Sequence, residues 1–115
     1  MTTETTAAAP SEPIHFDGET ALSELAGEYD IVLADFYADW CGPCKMMEPT
    51  IQTLAADTGA AVVKVDVDQF QQLAAEYGVQ GVPTLVLFAD GEAVERLVGM
   101  QTEDQLADVI ESYSQ

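Results

Sequence analysis

The sequence predicts an α/β fold, in which a central mixed sheet of four to five strands is flanked by about four helices. Short apolar runs typical of strands alternate with segments whose apolar residues recur at helical spacing. Because helices connect the first strands, we expect those strands to be parallel. Asp90-Gly91 joins the last two strand-like runs as a hairpin turn, which makes that pair antiparallel.

The first 13 residues carry no predicted helix or strand. They are rich in Thr, Ala, Pro and Glu and contain no aromatic residue, so we expect a disordered tail over residues 1–13. Residues 14–115 are enough for one domain that buries its own core. The sequence therefore predicts a tail followed by a single domain.

The first three elements follow this tail. Residues 14–16 are long enough for a short edge strand, and residues 19–28 carry apolar residues at helical spacing, namely Leu22, Leu25 and Ala26. Residues 31–37 form a nearly continuous apolar run. Such a run is typical of a central strand that is covered on both faces.

Two helices and one strand occupy the middle of the chain. The first helix is indicated by apolar spacing at Met47, Ile51, Leu54 and Ala55, and Pro49 is expected to kink it. Residues 61–67 predict a strand in which valines alternate with Lys64 and Asp66. The second helix has the spacing of Phe70, Leu73, Ala74 and Tyr77.

The C-terminal elements are two strands and a helix. Residues 84–89 predict a second buried strand, and residues 92–98 predict its hairpin partner. The last helix carries one apolar face, formed by Leu106, Val109, Ile110 and Tyr113. We interpret the helical stripes as core and not as a cofactor site.

The charge balance excludes two classes of partner. There are 21 Asp and Glu against 3 Lys and Arg, a formal net charge of -18. Nucleic acids and anionic membranes bind through clustered Lys and Arg, so neither is an expected partner. The acidity indicates either a very soluble surface or adaptation to a salty cytoplasm, and the scarcity of lysine favours the salt-adapted interpretation.

The N-terminus has neither the basic start nor the apolar stretch of a secretion signal. No stretch approaches the roughly 20 apolar residues that span a bilayer. We therefore expect a cytoplasmic protein, and nothing in the sequence indicates an obligate dimer.

Cys41 and Cys44 follow the central strand, where the next helix begins. A helix N-terminus stabilises a thiolate, and Pro43 suits the first helical turn because it has no N–H to leave unpaired. With two residues between them, the sulfurs can reach bonding distance. We expect Cys41 to be exposed and to attack substrate disulfides, and Cys44 to be shielded and to resolve the mixed disulfide.

A metal site is the main alternative for two cysteines at this spacing. Tetrahedral zinc takes four ligands, usually Cys and His. The chain offers two cysteines and His15, which is distant in sequence. We therefore expect no metal and no bound cofactor, and we assign no role to His15.

Residues 34–45, ADFYADWCGPCK, closely resemble the active-site stretch of the cytoplasmic thioredoxin family. Further matches are Pro49, Lys64, Gly81-Val82-Pro83-Thr84 and Gly99, and the likeness covers about residues 14–113. It implies a thioredoxin-like fold. It also implies that the protein is a protein-disulfide reductase, which a flavin-dependent or ferredoxin-dependent thioredoxin reductase recharges. Tyr37 departs from the family pattern, which often has tryptophan at this position.

The resemblance implies roles for two charged residues. From the residues alone, Asp35 is either a buried carboxyl with a raised pKa or a strand-end carboxyl that faces water. In the family the matching aspartate lies beneath the second cysteine and accepts its proton. Lys64, which alternation places on a solvated face, would lie near Asp35 and moderate its ionisation.

The resemblance also implies a substrate-docking surface. Pro83 would follow a cis peptide bond and face the cysteines, and the Val82 backbone would pair with an extended substrate segment. Trp40 and Gly99 would complete this surface, while Gly42 and Pro43 would support the cysteine pair.

Two functional alternatives stay open at this point. The cysteines can serve net disulfide oxidation or isomerisation, which the reduction potential would distinguish from reduction. The fold can also serve as a protein-interaction subunit in which the cysteines are idle.

Overall fold

The computed structural model describes residues 8–114. Within this range five strands form one sheet: β1 (Ile14–His15), β2 (Ile31–Tyr37), β3 (Ala61–Asp66), β4 (Thr84–Ala89) and β5 (Glu92–Val98). Five helices flank it: α1 (Leu22–Glu28), α2 (Gly42–Met46), α3 (Glu48–Asp57), α4 (Gln71–Glu76) and α5 (Glu103–Tyr113). The predicted α/β fold is confirmed.

The sheet is mixed, as the sequence predicts. Its strand order is β1-β3-β2-β4-β5. β3 is parallel to both β1 and β2, whereas β4 is antiparallel to both β2 and β5. β2 therefore lies in the centre of the sheet, which explains its continuous apolar run.

Two apolar clusters cover the two faces of the sheet. One face lies under α3 and α5, which contribute Ile51, Leu54, Ala55, Leu106 and Ile110. The other lies under α1 and α4, which contribute Leu22, Ala26 and Ala74. We call these the α3/α5 face and the α1/α4 face, and they confirm the helical stripes as core.

One predicted helix is two helices in the structure. The segment after the cysteines is interrupted at Met47, whose backbone N–H donates to the carbonyls of Pro43 and Cys44 at 3.1 and 3.2 Å. Pro49, which has no N–H, stands in the first turn of α3. The kink expected at Pro49 is thus a break, and the count is five helices where about four were expected.

The N-terminal boundary is partly outside the structure. Residues 1–7 of the predicted tail lie outside the described residues. Residues 8–13 form no helix or strand, and Ala9 packs against the apolar cluster of the α1/α4 face. The domain boundary at residue 14 stays a prediction.

Between residues 8 and 114, no helix is both long and apolar enough to cross a bilayer.

Candidate active site

The two cysteines stand at the predicted position, immediately beyond the central strand. After β2 the chain turns, and Cys41 is the N-cap residue of α2 with extended backbone angles. Cys44 lies one turn into the helix, with a Cα–Cα distance of 5.3 Å from Cys41, and the two sulfurs form a disulfide. Pro43 occupies the first turn of α2, where a missing N–H costs nothing.

One hydrogen bond distinguishes the two sulfurs. The backbone N–H of Cys44 donates to Sγ of Cys41 at 3.1 Å. Such a donor at a helix start stabilises negative charge on the sulfur that it reaches. The geometry therefore favours Cys41 as the thiolate.

The prediction that Cys41 is exposed is wrong in this disulfide form. Cys41 is 3% exposed and Cys44 is 5% exposed, so exposure does not separate them. The pair forms a small apolar cluster with Ala38, against which Tyr37, Val67 and Val82 pack. The assignment of the attacking cysteine consequently depends on the capping hydrogen bond and not on accessibility.

Asp35 is a buried carboxyl and not a water-facing one. It is 4% exposed, and its neighbours across the sheet are Lys64 on β3 and Leu85 on β4. Burial raises the pKa of Asp35 from 3.8 to about 6, against the opposing charge of Lys64 and with a further rise from the Glu48 carboxylate. Asp35 can therefore exchange a proton near neutral pH.

Lys64 is also buried, so the expectation of a solvated surface lysine is wrong. It is 6% exposed, because α3 covers the sheet face on which it lies. Its ammonium forms an ion pair with Glu48 and stands 4.3 Å from the centre of the Tyr37 ring. Lys64 on β3 is paired with Asp35 on β2, so the two residues are neighbours in the sheet, as the resemblance implies.

Tyr37 and Glu48 complete the polar surroundings of the site, and neither is among the sequence-predicted site residues. Tyr37 contacts both the cysteine cluster and the Lys64 ammonium. Glu48 belongs to the first turn of α3, four residues beyond Cys44. Its pairing with a lysine 16 residues away has no local signal in the sequence.

The loop before β4 lies against the cysteines. Val82 packs on the cysteine cluster, and the Val82–Pro83 peptide bond is cis, as the resemblance implies. The carbonyl of Pro83 accepts the Gly99 N–H at 2.8 Å, and Gly99 has a φ of +88°. Gly99 is thereby hydrogen bonded to the loop that contains Val82 and Pro83, which we call the proline loop. Its own backbone conformation favours glycine.

Trp40 directly precedes Cys41 in sequence and lies on the surface of the protein. Its side chain is 70% exposed, and its indole N–H donates to the Asp68 carboxylate at 2.8 Å. Among residues 8–114, three other large apolar side chains are exposed, namely Met46 (70%), Val98 (65%) and Met100 (49%). None of these three is a sequence-predicted site residue, although Met46 is close in sequence to Cys44, and Val98 and Met100 flank Gly99.

Gly42 and Pro43 are exposed in α2, and a Cβ on Gly42 would meet no atom within 4 Å. Across residues 8–114, no group of three or more His, Cys, Asp or Glu side chains is arranged to hold a metal ion.

Comparison with known proteins gives the same family from sequence and from structure. The thioredoxin family model matches residues 13–112. Thioredoxin from Chlamydia caviae is 44% identical over 85 residues, which are 73% of this chain and 83% of that protein. Thioredoxin from Staphylococcus aureus is 44% identical over 88 residues, which are 75% of this chain and 85% of that protein.

Solved structures extend the similarity over almost the whole chain. A mutant form of the thioredoxin from Halobacterium salinarum is 60% identical, with a TM-score of 0.89 over 95% of this chain and 96% of that chain. A thioredoxin from Nicotiana alata is 36% identical, with a TM-score of 0.80 over 96% of this chain and 100% of that chain.

Proposed function

The chain belongs to the thioredoxin family, and from this premise we propose that it reduces protein disulfides by a two-step exchange through Cys41 and Cys44. Thiol–disulfide oxidoreductase chemistry follows from the family and from the cysteine pair itself. The direction of electron flow and the roles of the individual residues are the proposal. The observation that carries it is the hydrogen bond from the Cys44 amide to Sγ of Cys41.

The first step is attack by Cys41. Its thiolate, stabilised by the Cys44 amide, forms a bond to one sulfur of the substrate disulfide. The substrate S–S bond breaks, and the other substrate sulfur leaves as a thiolate that takes up a proton from solvent. The product is a mixed disulfide between Cys41 and the substrate.

The second step is resolution by Cys44. Asp35 accepts the proton of the Cys44 thiol, and the resulting thiolate attacks Sγ of Cys41. The Cys41–Cys44 bond forms, the mixed disulfide breaks, and the second substrate sulfur leaves as a thiolate. Two electrons have then passed from the cysteine pair to the substrate, a thioredoxin reductase returns two electrons, and Asp35 gives its proton back to Cys44.

Substrate docking is assigned to the surface around the cysteines. Val82 packs against the pair, and Gly99 is hydrogen bonded to the proline loop. Trp40 offers an exposed apolar ring held by Asp68. An extended substrate segment would pair with the Val82 backbone by strand addition while its disulfide reaches Cys41.

The wider setting is also part of the proposal. The net charge of -18 and the 60% identity to a Halobacterium salinarum protein support a salt-adapted chain. We assign it to the cytoplasm as a monomer whose partners are protein disulfides and a thioredoxin reductase.

Insulin-disulfide reduction by dithiothreitol in concentrated KCl tests the central proposal. Wild-type protein should accelerate the reaction, Cys41→Ser should abolish the acceleration, and Cys44→Ser should accumulate a mixed disulfide through Cys41. Catalysis by Cys41→Ser at the wild-type rate would contradict the proposal and would favour a binding subunit with idle cysteines. An exposed Ser112→Ala variant on α5 serves as the control.

A further inference from the structure

We propose that Glu48 is a positioning residue for the resolving step: it binds the Lys64 ammonium and thereby leaves Asp35 able to take the proton of Cys44. This inference rests on the proposed role of Asp35 as proton acceptor. Glu48 acts through Lys64 and does not itself meet the substrate.

The ion pair at the base of the site is the first observation. Lys64 is 6% exposed, and its ammonium donates a hydrogen bond to Oε2 of Glu48. The Glu48 side chain is 37% exposed, so it connects the buried ammonium to the protein surface. A buried ammonium needs such a partner, because its desolvation is otherwise uncompensated.

The second observation is that two carboxylates share one cation. Asp35 on β2 and Lys64 on β3 are register partners, so they are neighbours in the sheet. Within residues 8–114, the ion pair that Lys64 makes is with Glu48 and not with Asp35. Glu48 therefore holds the charge that would otherwise serve as the counterion of Asp35.

Within the part of the chain that the structure describes, few charged or titratable groups lie near the Asp35 carboxyl. Lys64 faces it from β3 and Glu48 acts on it from α3, while β4 offers the apolar Leu85 opposite it. Tyr37 lies two residues along the same strand, and Cys41 and Cys44, which follow β2, are joined in a disulfide. α5 contributes apolar side chains to this face.

The chemical consequence is a stronger base. If Lys64 paired with Asp35, the carboxylate would be stabilised and would hold a proton weakly. With Lys64 held by Glu48, burial of Asp35 outweighs the Lys64 charge, which still lowers the pKa of Asp35, and the Glu48 carboxylate raises that pKa further. Asp35 then binds a proton tightly enough to accept it from a thiol near neutral pH.

The test is a titration of the oxidised protein, in which the cysteines do not ionise. The carboxyl ¹³C shift of Asp35 is followed by NMR for wild type and for Glu48→Gln. We expect the midpoint of Glu48→Gln to fall by about one pH unit, because a neighbouring charge shifts a pKa on that scale. Glu24→Gln, which removes an exposed carboxylate from α1, should leave the midpoint unchanged. An unchanged or higher midpoint in Glu48→Gln would overturn the inference.

A second background tests whether Glu48 acts through Lys64. In Lys64→Met, the Glu48→Gln substitution removes only the direct repulsion between the two carboxylates, so its shift should be smaller than in wild type. An equal shift in both backgrounds would contradict a route through Lys64. The NMR spectrum of each variant also reports whether it folds.

The rate of the resolving step separates this inference from the proposed function. Glu48→Gln should speed resolution at about pH 5, where more Asp35 is ionised, and slow it at about pH 8, where its Asp35 is a weaker base. The two pH–rate profiles should therefore cross. In an Asp35→Asn background the substitution should have no such effect.

The two kinds of failure have different signatures. If Asp35→Asn itself leaves resolution unchanged, the proposed role of Asp35 is wrong. If Asp35→Asn slows resolution but the Glu48→Gln profile does not cross that of wild type, only the role of Glu48 is wrong.

Discussion

Replacing Asp35 with asparagine should make the protein more stable at neutral pH and slower as a catalyst. Asp35 is 4% exposed in the native state, and burial raises its pKa from 3.8 to about 6. Asparagine has nearly the same shape and no charge to bury. Lys64 keeps Glu48 as its partner in the variant, so the substitution leaves no unpaired ammonium.

The size and pH dependence of the effect follow from linkage. Because the native pKa is above the unfolded one, the native state holds more protons between pH 3.8 and about 6, and stability falls as pH rises through that window. Above this pH window, the raised pKa of Asp35 lowers the free energy of unfolding by about 3 kcal/mol. The free energy of unfolding of Asp35→Asn should therefore exceed that of wild type by about 3 kcal/mol at about pH 7.5 and by about 0.5 kcal/mol at about pH 4.

Thermal and denaturant unfolding of the oxidised protein in constant KCl would measure this difference. At about pH 7.5 the gain corresponds to a rise of about 10 °C in Tm for a domain of this size. Asp108→Asn, which removes an exposed carboxylate from α5, is the matched control and should show no such gain. A gain that is equal at the two pH values, or absent at both, would refute a buried carboxyl with a raised pKa.

Three further predictions concern the surface, the docking site and the direction of electron flow. Withdrawing KCl should lower Tm, because the net charge of -18 is then less screened, and a flat Tm would contradict salt adaptation. Trp40→Ala should raise KM for a protein disulfide about tenfold, as expected for a docking anchor, and leave the rate with a small aromatic disulfide unchanged; equal losses for both substrates would argue against docking. The reduction potential should be more negative than about -220 mV, within or below the glutathione poise, whereas a value above about -180 mV would favour oxidation or isomerisation.

The sequence predicts the sheet well where the apolar runs are continuous. β2, β4 and β5 have the predicted bounds, since a strand buried on both faces or closed by an Asp90-Gly91 turn is specified locally. α1 begins at Leu22 and not near residue 19, because the Asp17 carboxylate accepts the Glu19 N–H and fixes a turn before the helix.

The site is less predictable because burial depends on distant segments. Alternation along β3 places Lys64 on the opposite face from Val63 and Val65, but it does not reveal that α3 covers the Lys64 face as well. Similarly, the N-cap position of Cys41 follows from local sequence, whereas its enclosure requires Val67 and Val82 from other parts of the chain. The proximity of Asp35 to Lys64 is predicted only by the family resemblance, and the ion pair of Glu48 with Lys64 is visible only in the three-dimensional structure.

The most direct test of the whole mechanism is the pH dependence of alkylation of the reduced protein in concentrated KCl. Iodoacetamide modification, with the modified residue identified by mass spectrometry, reports which sulfur is an accessible thiolate. Cys41 should react well before Cys44, with a half-maximal rate at a pH below the ordinary cysteine value of about 8.5. Modification of Cys44 first, or a Cys41 that reacts no faster than free cysteine, would contradict the claim that Cys41 is the attacking thiolate.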